Sequence, residues 1–135
     1  MKHSLITAGL ALAMTAGMAG AEGWTVTDLG SLDDRAECMR LAEATVDAYR
    51  MAYGGDGFTG RSEWTIGGYD LRGDVVDALI ICPIEAGLVA PFLIVYNSDS
   101  ENDARETVAE RLEEIWDQQV AGEPAPTPAP VTPSK

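Results

Sequence analysis

Two cysteines are the residues of this chain with the most distinctive chemistry. Cys38 lies near the middle of the apolar arc of a segment with helical periodicity, and Cys82 lies near the end of the apolar run DALIICPIEAG, residues 77–87. Both are predicted to point into the core, one from a helix and the other from a sheet. They could form a disulfide, remain two free buried thiols, or act as a redox pair. A redox pair usually has closer spacing and an exposed, activated sulfur, and neither is expected here.

The N-terminal segment indicates which of these states to expect. Lys2 and His3 precede an apolar run at 5–18, and Ala-Gly-Ala at 19–21 is the small-residue pattern that a signal peptidase accepts. The run is shorter than the ~20 apolar residues of a membrane-spanning helix. Residues 1–21 are therefore predicted to be a cleaved signal peptide, and the mature protein is expected to be secreted or periplasmic. In such an oxidising compartment, two inward-facing cysteines predict one structural disulfide, Cys38–Cys82.

Histidine chemistry is excluded from the mature chain. His3 is the only histidine, and it leaves with the signal peptide. Ser-His-Asp triads, Cys-His pairs and histidine metal sites are therefore ruled out. The sequence predicts no catalytic residue, no cofactor-binding residue and no metal ligand.

The charge of the chain is strongly negative. It has 22 acidic and 9 basic residues, for a net charge of −13, and loss of Lys2 makes the mature chain one unit more negative. Such a charge repels nucleic acid and anionic membrane surfaces and suits a cationic partner. A pair of carboxylates could also perform acid–base chemistry, as in glycoside hydrolysis, if both lie in one deep cleft.

Two motifs match functional patterns only in part. GDGFTG at 55–60 has the spacing of a dinucleotide-binding loop, but it follows a helix, whereas that loop requires a preceding strand. Residues 99, 101 and 103 are acidic at positions 1, 3 and 5 of a calcium loop, but Ala104 replaces the glycine at position 6. A turn and the cap of a helix explain them better.

The remaining pattern predicts the elements. A short strand at 23–30 precedes a helix at 32–53 with Ser31 as its N-cap, and a closing helix runs from about residue 98 to 120. Between the helices, three strand-like runs are separated by tight turns and predict an antiparallel meander; they span 61–71, 75–84 and 88–97.

Glycine and proline mark irregular points in this meander. Gly67-Gly68 is either a bulge in a long strand or an extra hairpin turn, and the bulge is favoured. Pro91 indicates that the last strand lies at an edge or carries a bulge, because proline donates no ladder hydrogen bond. The fold is predicted to be α+β, with the order β-α-β-β-β-α, two helices and one disulfide. It forms a single domain at 22–121, followed by a disordered proline-rich tail at 122–135.

Strand alternation predicts two apolar rows on the sheet. One row, predicted to face the helices, is Val76, Ala78, Ile80, Cys82 and Ile84. The opposite row is also apolar and consists of Leu79, Ile81, Leu93 and Val95, with Trp64 or Ile66 beside them. Either one helix covers each face, or an apolar patch remains for a partner or a second copy.

The function predicted from these features is that of a small, exported, acidic, non-enzymatic module. It is expected to bind a protein or peptide, or itself, through the opposite row of the sheet. The alternatives are an acidic inhibitor of a cationic protein such as a lysozyme, and a carboxylate-based hydrolase. No nucleic acid partner, cofactor or membrane span is expected.

Overall fold

A computed structural model describes residues 23–98, 102–124 and 126–127 of the chain. The elements follow the order β1 (Gly23–Asp28), α1 (Arg35–Tyr53), β2 (Thr59–Arg61), β3 (Thr65–Arg72), β4 (Val76–Ile81), β5 (Ile84–Glu85), β6 (Leu88–Val89), β7 (Phe92–Asn97) and α2 (Asn102–Val120). The predicted α+β class, with two helices and an antiparallel sheet, is confirmed. The predicted signal peptide lies outside the described residues, as does most of the predicted tail. No helix in the described ranges is long and apolar enough to cross a membrane.

The main sheet has five antiparallel strands in the order β1-β7-β4-β3-β2, and β5 with β6 forms a separate small hairpin. The predicted meander corresponds to β3, β4 and β7, which are adjacent in this order. The first strand of the chain pairs with the last, with Trp24 opposite Tyr96. Since β7 pairs on both sides without a shift of register, the prediction that it lies at an edge or carries a bulge was wrong. Pro91 precedes the strand, so no ladder hydrogen bond is lost.

Two hairpins were not predicted. A turn after Arg61 separates β2 from β3, with Ser62 N–H donating to the Thr65 carbonyl at 2.9 Å. The β5–β6 hairpin begins after Pro83, which cannot donate to the β4 ladder and ends it. Ile84, predicted to face the core, is consequently 57% exposed.

Helix α1 begins later than predicted. Its N-cap is Asp34, not Ser31, and the Asp34 side chain accepts a hydrogen bond from Glu37 N–H at 2.8 Å. Leu32 does not join the helix, because its backbone forms a β-bridge with Val89 of β6 through hydrogen bonds of 2.8 and 2.9 Å. The helix ends at Gly54, whose φ of 84° suits a residue without a Cβ.

The register of the β3–β4 pair shifts between Gly68 and Arg72. Asp70 lies in this bulge with φ of 51°, and its N–H donates to Asp77 Oδ1 of β4 at 2.9 Å. The predicted bulge is therefore present just after the two glycines, while the extra hairpin turn occurs earlier in the chain.

Both helices pack on the same face of the sheet and against each other. The core between them contains Cys38, Val46, Ile66, Ala78, Ile80, Leu93, Val95, Val108, Leu112 and Trp116. The Trp116 indole donates to the Leu29 carbonyl at 3.1 Å, which joins α2 to the end of β1. The predicted disulfide is confirmed: Cys38 and Cys82 are bonded and fully buried, with their Cα atoms 6.1 Å apart.

Candidate functional site

The face of the sheet opposite the helices, called here the open face, is covered by no element in the described part of the chain. It carries Trp24, Val26, Asp28, Phe58, Tyr69, Asp77, Leu79, Ile81, Phe92, Ile94 and Tyr96, all half-buried or exposed. Along β4 and β7 these residues alternate with buried residues of the core, and along β1 they alternate with half-buried residues. One side of the sheet is thus covered by both helices, and a mostly apolar side remains uncovered.

Only part of the predicted interaction surface lies on the open face. Leu79 and Ile81 are there, as predicted from their alternation with the core row. Leu93 and Val95 were placed on the wrong face, since both are fully buried under the helices. The register explains the error: Leu93 lies directly opposite Ile80, and directly opposed residues share a face of the sheet.

Trp64 lies apart from the open face. It ends the turn between β2 and β3, and the guanidinium of Arg35 in α1 is 5.7 Å from the centre of its ring. Its carbonyl accepts a hydrogen bond from Cys82 N–H at 2.8 Å, and the residue is 46% exposed. Ile66, its suggested neighbour, is fully buried in the core.

The aromatic residues of the open face were missed by sequence reasoning. The missed residues are Trp24, Phe58, Tyr69, Phe92 and Tyr96. One signal was available, because β1 alternates two large apolar residues, Trp24 and Val26, with Thr25 and Thr27. That alternation places a wide apolar row on one face of β1, but it does not show which strand pairs with β1.

A cavity of about 160 Å³ opens on this face and is called here the aromatic slot; it is lined by Trp24, Tyr69, Asp77, Leu79, Ile94 and Tyr96. Trp24 and Tyr96 are cross-strand partners, with ring centres 4.5 Å apart and planes tilted by 36°. Tyr96 is in turn opposite Asp77 on β4. The slot therefore places a carboxylate among aromatic rings and two aliphatic side chains.

A second recess of about 210 Å³ adjoins the aromatic slot, because Tyr69 and Leu79 line both. Its other main walls are Phe58 and Gly67. The rings of Phe58 and Tyr69 stack with centres 4.7 Å apart and planes at 28°. Together the two recesses extend from β1 to β2, across all five strands of the sheet.

Arg50 of α1 fixes the position of this second aromatic pair. Its guanidinium donates to the carbonyls of Phe58 and Tyr69, both at 2.6 Å, and to the Gly55 carbonyl at 3.5 Å. A planar guanidinium can satisfy several carbonyls at once. The loop after α1 is thus held against the bulge of β3, and the two rings are held on the open face.

Gly67 and Gly68 let side chains approach the sheet from opposite sides. A Cβ on Gly67 would lie 2.8 Å from the ring of Tyr69, whereas a Cβ on Gly68 would lie 2.9 Å from Val46 Cγ1 of α1. We expect Gly68→Ala to lower the free energy of unfolding by about 1–3 kcal/mol, because the core cannot easily make room. Gly67→Ala should cost less, because the Tyr69 ring can move outward.

Urea unfolding of both variants and the NMR shifts of the Tyr69 ring test this expectation. The Gly67→Ala variant should change the Tyr69 shifts while the shifts of core methyl groups stay the same. Equal losses of stability in the two variants would contradict the assignment of Gly67 to the open face.

Asp77 is the carboxylate of the aromatic slot, on the central strand β4 and one residue from its start. One of its oxygens, Oδ1, accepts the hydrogen bond from Asp70 N–H in the bulge. Among the described residues, no donor forms a hydrogen bond with the other oxygen, Oδ2. The carboxylate is therefore fixed in place through one oxygen and can accept a hydrogen bond from a ligand through the other.

The acidic surface elsewhere does not form a comparable site. A shallow recess of about 490 Å³ runs along α2, with carboxylates of Glu110, Glu113, Glu114 and Asp117 on its walls. In the described residues, no group of three or more Cys, Asp or Glu side chains is close enough to hold a metal ion. The residues of the partial calcium motif at 99 and 101 lie outside the described ranges, and α2 is already helical at Ala104.

The pKa of Glu37 is lowered, chiefly by its hydrogen bonds with Arg40, whose nitrogens lie 2.6 and 2.8 Å from the Glu37 oxygens. A general acid requires the opposite shift. Burial raises the pKa of the Tyr49 phenol, and the nearby Arg111 guanidinium opposes this change. Tyr49 belongs to the buried side of α1, on the face of the sheet opposite the open face.

In comparisons with protein-family models, with curated proteins and with solved structures, nothing matches this chain. What the open face binds must therefore be inferred from its own residues.

Proposed function

We propose that this protein is an exported, non-enzymatic module that binds a segment of another protein on its open face. The observation that carries the proposal is the exposure of large apolar side chains on that face. Trp24, Val26 and Phe58 are 63%, 65% and 63% exposed. An antiparallel sheet that faces water on one side normally carries polar residues there, and a contiguous apolar patch is typical of an interaction surface.

The composition of the open face supports a protein ligand. Tyr, Trp and Phe are enriched where protein interfaces are fully buried, and Trp and Tyr are common among residues that dominate binding energy. Here they line two adjoining recesses, the kind of pocket into which a partner inserts side chains. The five-stranded width suits an extended segment that crosses the strands.

The charge supports a cationic partner over a second copy of this chain. The net charge of −13 repels another copy, and a face-to-face dimer would bury Asp77 without a cation. A basic partner would be attracted at long range and could neutralise Asp77. An acidic inhibitor of a cationic protein would be one form of this activity.

Two features support export. The N-terminal segment has the pattern of a cleavable signal peptide, and the Cys38–Cys82 bond is of the kind that persists in oxidising compartments. We therefore place the mature module in the periplasm or outside the cell. The hydrolase alternative receives less support, since the two carboxylates of the accessible face, Asp28 and Asp77, lie opposite β7 residues four positions apart, with aromatic and aliphatic side chains around them.

Selection of peptides from a displayed random library tests the proposal. Peptides enriched on the oxidised protein should lose about tenfold or more in affinity for the Leu79→Glu variant, which places a charge on the open face. The matched control is Met51→Glu, which adds the same charge at an exposed position of α1. Its affinity for the same peptides should be unchanged.

Selected peptides that bind the two variants equally well would overturn the proposal, as would a library that yields no binder. Sedimentation measurements on the free protein address self-association. We expect a monomer, and a dimer that Leu79→Glu dissociates would assign the open face to self-association instead.

A further inference from the structure

We propose that the aromatic slot binds an arginine or lysine side chain of the partner, with the cationic group at Asp77. This inference rests on the proposed function and names the chemical group that the open face recognises. The methylene stem of the basic side chain would lie on Leu79 and Ile94, and the charged end would reach the carboxylate. Asp28, the other carboxylate at a register position of the described open face, lines neither the aromatic slot nor the second recess.

The position of Asp77 carries the first step. It lies on β4, the central strand of the sheet, one residue from the start of that strand and opposite Tyr96 on β7. Its Oδ1 is fixed by the N–H of Asp70 at 2.9 Å, whereas Oδ2 has no donor in the described residues. A guanidinium or ammonium supplies the donors that this oxygen lacks, and such charge-assisted hydrogen bonds are the stronger class.

The aromatic walls carry the second step. The rings of Trp24, Tyr69 and Tyr96 line the same slot as Asp77. A cation near the face of an aromatic ring is attracted by the electron density of that face, and tryptophan gives the strongest interaction. This chain shows the same preference elsewhere, since the guanidinium of Arg111 lies 4.1 Å from the centre of the Tyr53 ring.

The slot should also discriminate against neutral side chains. A cavity of about 160 Å³ can accept the stem of one long side chain. A neutral apolar side chain of the same length would cover Asp77 and remove water from it without replacing the lost hydrogen bonds, which is unfavourable. Recognition by the slot therefore selects for positive charge as well as for length and shape.

A double-mutant cycle tests the contact directly. Peptides selected on the protein are resynthesised with each arginine replaced by citrulline, or each lysine by norleucine, which keeps the shape and removes the charge. Each pair is titrated against the wild-type protein and Asp77→Asn. Asparagine keeps a carbonyl oxygen that can accept from Asp70 N–H, so the bulge should be retained.

At one basic position of the peptide, we expect loss of the charge to weaken binding to the wild-type protein about tenfold. The same change should have little effect on binding to Asp77→Asn, which gives a non-additive cycle. Glu106→Gln is the control, because the substitution removes the same unit of negative charge as Asp77→Asn. Glu106 is an exposed residue of α2, on the helix side of the sheet. With Glu106→Gln, loss of the charge from the peptide should still weaken binding about tenfold.

Three results would overturn the inference: selected peptides without any basic residue, neutral peptides that bind the wild-type protein as tightly as basic ones, or additive effects in the cycle. The comparison of peptides on the wild-type protein needs no variant and so does not depend on the folding of Asp77→Asn. If the peptides still respond to Leu79→Glu in any of these cases, the open face remains a binding surface. If they do not respond to Leu79→Glu, the proposed function itself is wrong.

Discussion

Replacement of both Cys38 and Cys82 by alanine should lower the free energy of unfolding by about 4 kcal/mol. The two residues are 44 positions apart, so the bond restricts a long loop of the unfolded chain. A domain of this size is typically stable by ~5–10 kcal/mol, and the bond therefore supplies a large share of the total. Urea unfolding of the oxidised wild type and the double variant measures the difference.

Reduction provides the control for this prediction. The wild-type protein in dithiothreitol should unfold at nearly the same urea concentration as the double variant, while dithiothreitol should not affect the variant itself. Alkylation and mass measurement of protein purified without reductant should find no modifiable thiol. A difference in stability below about 1 kcal/mol would show that packing around the bond, not the bond, holds α1 on the sheet.

The disulfide was predictable because it depended on features within single elements. The helical period of α1 directs Cys38 inward, and the alternation of β4, continued to the next residue, directs Cys82 to the same core. Neither inference requires knowledge of which strands are neighbours. The antiparallel meander was predictable for a similar reason, since its turns are short and local in sequence.

The composition of the open face was not predictable, because it depends on relations between elements. The row of β7 that faces the core is set by its register with β4, and a shift of one residue exchanges the two rows. Both rows of β7 are apolar enough to enter a core, so composition did not distinguish them. Leu93 and Val95 were misplaced for this reason, and Phe92, Ile94 and Tyr96 were missed.

The absence of a covering helix on the open face, within the described residues, also depends on relations between elements. Each helix is amphipathic and could cover either side of a sheet, so the sequence left both arrangements open. In the structure the two helices pack against each other and share one face. The pairing of β1 with β7 then brings Trp24 beside Tyr96 and completes the aromatic slot from residues more than seventy positions apart.

Replacement of Arg50 by methionine should lower the free energy of unfolding by about 3 kcal/mol and weaken peptide binding at the same time. Methionine keeps an apolar stem but leaves the Tyr69 carbonyl without its charged donor, and hydrogen bonds to charged groups contribute about 1.5–3 kcal/mol each. The Phe58 carbonyl still accepts a hydrogen bond from Tyr69 N–H at 3.0 Å, which limits the loss there. Because Arg50 links α1 to both carbonyls, its removal should loosen the stacked rings on the open face.

Two further variants separate the contribution of the bonds from that of charge. Arg50→Lys keeps the positive charge, but a single ammonium cannot reproduce the fork of the guanidinium, so its stability should fall between wild type and Arg50→Met. Arg40→Met removes the same charge from an exposed pair with Glu37, and no measurable loss is expected. Urea unfolding and titration of the selected peptides measure both quantities. If Arg50→Met binds the peptides as tightly as the wild type does, the Phe58 and Tyr69 rings keep their positions without Arg50. That result would contradict the positioning role assigned to Arg50.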